Sequence, residues 1–442
     1  MCYAIPGRVD SIDDKVAVID YFGEKKKAYN EIDELKLGDY VYAQGGYIIE
    51  RLPKEEALST LQVWKETFFE LQEKDLLLSK IQFENKKLDK KLLRILDKVS
   101  QNLSVSQEDY LYLLKRDDSE ELNLIYKTAN FIRHKNFGNA CCVHGIIELS
   151  NQCTRNCQYC GISTYNENLV RYKMSEEEIL ATAEMAIKTY GFKALVLQSG
   201  QDAYSVDELF EIIKKIKEKF AVLIFISVGE IRKSGLEKLY EAGARGILLR
   251  FETSNPILFE KMHPGYKLEM RIQELKDAYK IGYLILTGGL IGVPGQTEVD
   301  ILNDIFLAKS LNSEMFSFGP LVPHPETPLK DFNSPSSDFV MKVLSVARFI
   351  DQDLAKILIT TSFETIDKTA RKQGLLSGAN SVMLNVTPKK YKAQYTIYPH
   401  RAYIDDPLEL QIKETINLLQ NIGRSPTDLG LGESSYNIDI LK

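Results

Sequence analysis

From His144 onward the chain repeats one pattern: a short apolar run, a polar turn, then a longer segment whose apolar residues recur at helical spacing. The apolar runs HGIIEL, KALVLQS, VLIFIS, GILLRF, YLILTGG, MFSFGP, KILITT and ANSVML predict eight strands. Segments such as SEEEILATAEMAIKTYG and SVDELFEIIKKIKEKF predict helices between them. Eight repeats over roughly 250 residues predict an α/β fold on a (β/α)8, TIM-type barrel, with a six-strand partial barrel carrying extra elements as the alternative. In such a barrel, chemistry gathers on the loops that follow the strands.

The first fifty residues have a different rhythm. Short β-rich runs, YAIPGRV, KVAVIDYFG, KKKAYN and DYVYAQGGYIIERL, are punctuated by Gly7, Gly23, Gly38 and the Gly45-Gly46 pair, which predicts a small closed, OB-like β-barrel. Pro53 then opens a helix whose Ala57, Leu61, Trp64, Phe68 and Leu71 share one face and are expected to pack back on that barrel. Residues 73–100 read as a charged, solvated linker helix. Ser104 with Gln107 has the spacing of a capping box, so a new helical lead-in is expected there. The expected domains are 1–75, a helical linker 76–103, and 104–442, the last divided into a lead-in to 143, a barrel over about 144–400 and an extension over 401–442.

Charge and composition narrow the function. A net charge of -6 and no long basic stripe give no footprint for nucleic acid or an anionic membrane surface. No apolar run approaches the roughly 18 residues of a spanning helix, and Arg8, Asp10 and Asp13 stand where a secretion signal would be apolar. A cytoplasmic protein with small-molecule or protein partners is expected.

Three of the six cysteines fall within CTRNCQYC, directly behind the first barrel strand. Three thiolates in one compact loop suit an iron–sulfur cluster with one open iron better than zinc, which usually takes four ligands in two separated pairs. Structural zinc completed by Cys141 or Cys142 is the alternative.

CxxxCxxC with Tyr159 before its last cysteine resembles the signature of the radical S-adenosylmethionine enzymes. The resemblance implies a [4Fe-4S] cluster on Cys153, Cys157 and Cys160, S-adenosyl-L-methionine chelated by its open iron, and a 5′-deoxyadenosyl radical formed on reduction by a donor such as a ferredoxin or flavodoxin. HGIIELSNQCTRNCQYCGI, ALVLQSGQD, LLRFETSNP, LIGVPGQT, FGPLVPHPETPL and GANSVMLNVTPKKYKAQYTIYP are similar, in order, to the HydE family of [FeFe]-hydrogenase maturation. That similarity implies a cofactor ledge at Ser199, Gly200 and Gln201, cofactor contacts from Tyr159, Arg250, Glu252 and Arg271, and substrate contacts from Met383, Thr387 and Tyr395. An Arg250–Glu252 salt bridge and an exposed Arg271 are the structural alternatives, and His324 reads as a surface-loop residue. Phe251 stands where that family tends to have histidine, which would remove a polar group beside the cavity. No cysteine follows Cys160, so the second cysteine-bound cluster that biotin synthase sacrifices for sulfur has no ligands here.

MCYAIPGRV, with LKLGDYVYAQGGYIIERLPKEEALSTL behind it, resembles the HypC family of [NiFe]-hydrogenase chaperones. The resemblance implies a barrel, a trailing helix, and Cys2 as ligand to an iron bearing cyanide and carbonyl. Gln44 replaces the histidine usual in that family. Together the two resemblances imply a radical maturase acting on an organometallic iron substrate with a fused carrier, in the company of other hydrogenase maturation proteins. A radical enzyme acting on a small organic substrate, amino-acid-derived or a thiazolidine, with the small domain as a docking module, and a non-catalytic assembly scaffold are the alternatives.

Overall fold

The computed structural model describes residues 5–81 and 88–427. Cys2 lies outside them.

Five strands close the small barrel in the order β1-β2-β3-β5-β4: β1 Gly7–Asp13, β2 Val16–Tyr21, β3 Glu24–Tyr29, β4 Tyr40–Gln44 and β5 Tyr47–Leu52. Alternation sets the inward face, with Val9, Ala17, Ile19, Ala28 and Val41 buried. Gly45 and Gly46, both at positive φ, turn β4 into β5. Behind Pro53, α1 (Lys54–Ser79) lays Trp64, Phe68 and Leu71 against this core, as the helical spacing predicts.

The expected solvated linker is not solvated. Residues 82–87 lie outside the described set, but α2 (Lys90–Ser100) is amphipathic and buries Leu92, Ile95, Leu96 and Val99 in the core of the larger unit. Its lysines occupy the opposite face, which is why composition alone misled. The next helix, α3 (Gln107–Leu114), is capped by Ser106, whose side chain accepts from the Asp109 amide, and not by the predicted Ser104 box. It is followed by α4 (Ser119–Phe137).

All eight predicted barrel strands form, so the barrel is complete. They are β6 Cys142–Ser150, β7 Ala194–Ser199, β8 Leu223–Ser227, β9 Ala244–Leu248, β10 Leu284–Thr287, β12 Ser313–Phe316, β14 Lys356–Ile359 and β15 Ser381–Asn385, parallel and closed by β15 on β6. At the mouth, β11 Leu290–Ile291 pairs with β13 Gly319–Pro320. Capping boxes at Ser175 and Ser205 start two of the barrel helices where the sequence places them. No helix of the described residues is long and apolar enough to cross a membrane.

The two barrels dock. Added at Gly45, a Cβ would stand 2.8 Å from Leu223 Cδ2, so the small barrel's turn presses on the strand starts of the large one. Around that contact, Tyr47 Oη donates to Gly282 O (3.4 Å), Lys193 pairs with Glu50 (2.8 Å) and Arg245 pairs with Glu31 (2.8 Å). These groups belong to the N-terminal ends of the large barrel's strands. The small barrel therefore covers the floor, at the pole opposite the loop that follows β6. At the side, Asp75 of α1 meets Arg133 of α4 and Arg424, none of the three exposed.

Candidate functional site

The loop behind β6 brings Cys153, Cys157 and Cys160 to one cavity of about 310 Å³ at the barrel mouth. Neighbouring backbone fixes this loop from several sides: Thr154 N donates to Gln201 O (3.2 Å), Gln158 N to Met262 O (3.0 Å) and Gly161 N to Ile397 O (2.8 Å). Two glycines permit the approach. A Cβ on Gly200 would fall 2.1 Å from Gln152 O and 2.7 Å from Cys153 Cβ; one on Gly161 would fall 2.0 Å from Thr396 O and 2.4 Å from the His324 ring. His324, expected as a plain surface residue, thus packs under the last cysteine, and its amide donates to Tyr159 O (3.0 Å).

Tyr159, Ser199, Gly200, Gln201, Arg250, Glu252 and Arg271 all line the same cavity. Tyr159 Oη lies 3.2 Å from His263 Nε2. Burial holds His263 well below its usual range and hence neutral, so Nδ1–H donates to Phe259 O (3.1 Å) and Nε2 accepts from Tyr159. Gln201 is tied by its side chain to both backbone groups of Glu230, at 2.8 Å each, so it positions that residue. Arg271 is buried, not exposed: Nε donates to Glu230 Oε1 (2.8 Å) and Nη1 to Arg250 O (3.1 Å). Arg155, within the cysteine motif, takes the other Glu230 oxygen (2.9 Å). Burial alone would raise the Glu230 carboxyl, but Arg271 and Arg155 outweigh it and hold it below the usual range.

Glu252 adopts positive φ (69°), a backbone state costly for a residue with a side chain. Gly288 and Gly289 let the neighbouring segment come close: Glu252 N donates to Gly288 O (3.2 Å), and a Cβ on Gly289 would sit 2.7 Å from Glu252 O. Arg250 Nη2 stands 3.2 Å from Glu252 Oε2, but out of line for a hydrogen bond, and that buried oxygen has no donor. The expected salt bridge is therefore a charge contact that leaves an acceptor open to the cavity.

Met383 and Tyr395 line the cavity; Thr387 does not. Thr387 Oγ1 accepts from Glu148 N (2.8 Å) and its own amide donates to Asn385 Oδ1 (3.0 Å), so it orients two lining residues from behind. Phe251 is fully buried in the core outside the cavity, and the residue at this position removes no polar group from the wall. Sequence reasoning missed Arg155, Glu230, Glu148, Asn385 and Arg401. Glu148 forms a short ion pair with Arg401, while Glu148 Oε2, Arg401 Nε and Asn385 Nδ2 are buried without hydrogen-bond partners. A charged residue inside an otherwise apolar strand, HGIIEL, was the available signal for Glu148.

The donor set fits an iron–sulfur cluster. Cys153, Cys157 and Cys160 are three unbridged thiols on one cavity wall. Cys141 and Cys142, the alternative zinc ligands, are buried at the start of β6, away from the loop. Burial, with the neighbouring Cys153 adding to it, pushes the Cys157 thiol up to about 12 and Cys160 well above its usual value. Thiolates here would need a cationic partner to neutralise them.

Comparison with known proteins agrees with this geometry. Residues 147–308 match the radical SAM superfamily and residues 1–64 match the HupF/HypC family. The chain is 37% identical over 303 residues to the [FeFe] hydrogenase maturase subunit HydE of Thermotoga maritima, covering 68% of this chain and 86% of that protein. It is 29% identical over 336 residues to the 3-methylornithine synthase of Methanosarcina acetivorans, covering 75% and 93% respectively. Among solved structures, methylornithine synthase (PylB) superposes with a TM-score of 0.65 at 25% identity, over 76% of this chain and 97% of that one.

Proposed function

Because the chain belongs to the HydE family of radical S-adenosylmethionine enzymes and carries a HupF/HypC segment ahead of the barrel, we propose that it serves hydrogenase maturation, acting on an iron–carbonyl–cyanide precursor that the small barrel carries. The [4Fe-4S] cluster and S-adenosylmethionine supply, when bound and reduced, a 5′-deoxyadenosyl radical. Cys153, Cys157 and Cys160 hold the cluster. Glu252 Oε2 would accept from the cofactor's ammonium or ribose hydroxyl, and Arg271, its plane fixed by Glu230 and the Arg250 carbonyl, would receive the cofactor's carboxylate. The ledge from Ser199 to Gln201 would support the cofactor beside the cluster loop. Met383 and Tyr395 close the cavity and keep water from the reacting atoms.

The observation that carries this reading is the docking of the small barrel on a barrel that opens at its other pole onto the three cysteines. Cys2 would bind the fragment through its thiolate. Infrared spectra of the chain purified from its native host test the carrier role. Cyanide and carbonyl bands are expected in wild type and absent in Cys2→Ala, with cluster absorbance retained in both. Equal bands in Cys2→Ala would remove the carrier from the proposal.

A second reading rests on the open polar groups of Glu148, Arg401 and Asn385, which suit the ammonium and carboxylate of an amino acid, and on the similarity to 3-methylornithine synthase. Release of a rearranged amino acid after incubation with S-adenosylmethionine, a reductant and a mixture of free amino acids would favour it over the iron precursor.

A further inference from the structure

The small barrel seats itself over a pair of soft ligands. Cys142 Sγ, at the start of β6, lies 3.0 Å from His144 Nε2, and Gln44 Nε2 of the small barrel reaches the same sulfur at 3.6 Å. Cys142 is 2% exposed and His144 1%, and the His144 ring stacks on Phe225 at 5.0 Å. Nothing in the reaction cavity uses this pair. With bonds of about 2.0 Å to nitrogen and 2.3 Å to sulfur, a right-angled chelate places its donor atoms about 3.0 Å apart, and a tetrahedral one about 3.5 Å. The observed spacing is that of a hydrogen bond, and it sets both donor atoms within reach of one metal ion.

Strand direction carries β1 toward this place when it is followed backward. β1 runs antiparallel to β4, with Gly7 opposite Val41 and Arg8 opposite Tyr40. Followed backward, β1 heads toward the end of β4 at Gln44, the residue that touches Cys142. Ile5, the first described residue, is buried in the small barrel's core. Cys2 is three residues before it, a reach of at most ~10 Å. Along β6 side chains alternate, so Cys142, His144, Ile146 and Glu148 face inward in ascending layers. Ile146 and Glu148 line the reaction cavity, and so does Met383, the register partner of His144. Cys142, His144 and Met383 therefore stand between the junction and the cavity floor.

We propose that Cys142 and His144 form a receiving site for a soft iron fragment in the floor of the large barrel, with His144 supplying across the junction the imidazole that Gln44 does not. This rests on the carrier reading of the small barrel. The transfer is a ligand exchange: the iron–sulfur bond to Cys2 breaks as one to Cys142 forms, and the Cys142 thiol proton passes to the released Cys2 thiolate. No electron moves.

The test loads the full chain, its cluster assembled from natural-abundance iron, with one equivalent of ferrous ion in the Mössbauer-active isotope. A mononuclear ferrous doublet is expected in wild type. In Cys142→Ser and in His144→Gln the ion should bind at least tenfold more weakly, with cluster absorbance as the sign that the fold has held. Cobalt K-edge absorption of wild type carrying one equivalent of Co2+ needs no variant and should show sulfur and imidazole scatterers. Label found only in the cluster, undiminished binding in both variants, or oxygen-only scattering overturns the site. Cys2→Ala separates the two ideas: ferrous ion still bound there, with the infrared bands lost, supports both, whereas bands retained with ferrous binding intact leave the receiving site standing without the carrier.

Discussion

Asp75 of α1 and Arg133 of α4 form a two-pronged ion pair, at 2.7 and 2.8 Å, with neither side chain exposed. His134 Nδ1 adds a contact at 2.7 Å and Arg424 Nε another at 2.9 Å. The small barrel's trailing helix is thereby fastened to the large barrel. Burial alone would raise the Asp75 carboxyl; His134, Arg133 and Arg424 reverse that and hold it well below the usual carboxylate range.

Asp75→Asn keeps the shape and leaves two buried guanidinium groups without their counter-charge. The expected loss is about 3–5 kcal/mol in urea unfolding at neutral pH. Because the folded-state carboxyl titrates below the unfolded value of about 3.9, its contribution is complete above that pH and is lost as pH falls toward the folded value. The gap between wild type and variant should therefore narrow below about pH 4. A gap unchanged down to pH 2 would mean that Asp75 is not the group responsible.

Replacing Cys153, Cys157 or Cys160 with serine should abolish both the cluster's visible absorbance and reductive cleavage of S-adenosylmethionine, since one poorer ligand exposes an iron to loss. Cleavage that survives in any one of the three, or stoichiometric zinc in the native protein, would contradict the assignment.

Glu252→Gln and Arg271→Ala should each weaken S-adenosylmethionine binding about ten- to a hundredfold, the equivalent of about 1.5–3 kcal/mol for a charge-assisted hydrogen bond. The cluster spectrum should persist in both. Arg271→Ala also leaves Glu230 with Arg155 alone, so it is expected to be the more damaging of the two. Equal affinity in both variants, by equilibrium dialysis, would displace the cofactor from this side of the cavity.

Gly200→Ala would drive a Cβ into Gln152 O and Cys153 Cβ. Iron content per chain should fall while far-ultraviolet circular dichroism stays unchanged, because the clash is confined to the loop behind β6. Full iron loading would show that the cysteine loop has more room than its backbone contacts allow.

The barrel strands were legible because each is a short apolar run between turn signals, and the cysteine triad because it is contiguous. The floor was not. Gln44 and Cys142 are far apart in sequence and neither has a local pattern that announces the other, so docking of the two barrels could not be read from periodicity. Phe251 misled for a related reason: sitting between Arg250 and Glu252, it looked like part of the wall, yet its side chain faces the core. Helix α2 misled through its lysines, which dominate the composition although its buried leucines and isoleucine decide where it lies. Glu230 and Arg401 acquire meaning only from partners distant in sequence.

The Asp75 cluster also sets an order of events during synthesis. Asp75 and Arg133 are both present once the first third of the chain has been made, but Arg424, and Ser425, whose carbonyl accepts from Cys141 N at 2.8 Å, emerge from the ribosome long afterward. The small barrel can fold early as a unit, while its permanent seat closes only when these late residues arrive. A nascent or truncated chain would thus hold the two barrels loosely, and the junction becomes rigid only once the cysteine loop and the cavity above it have already been made.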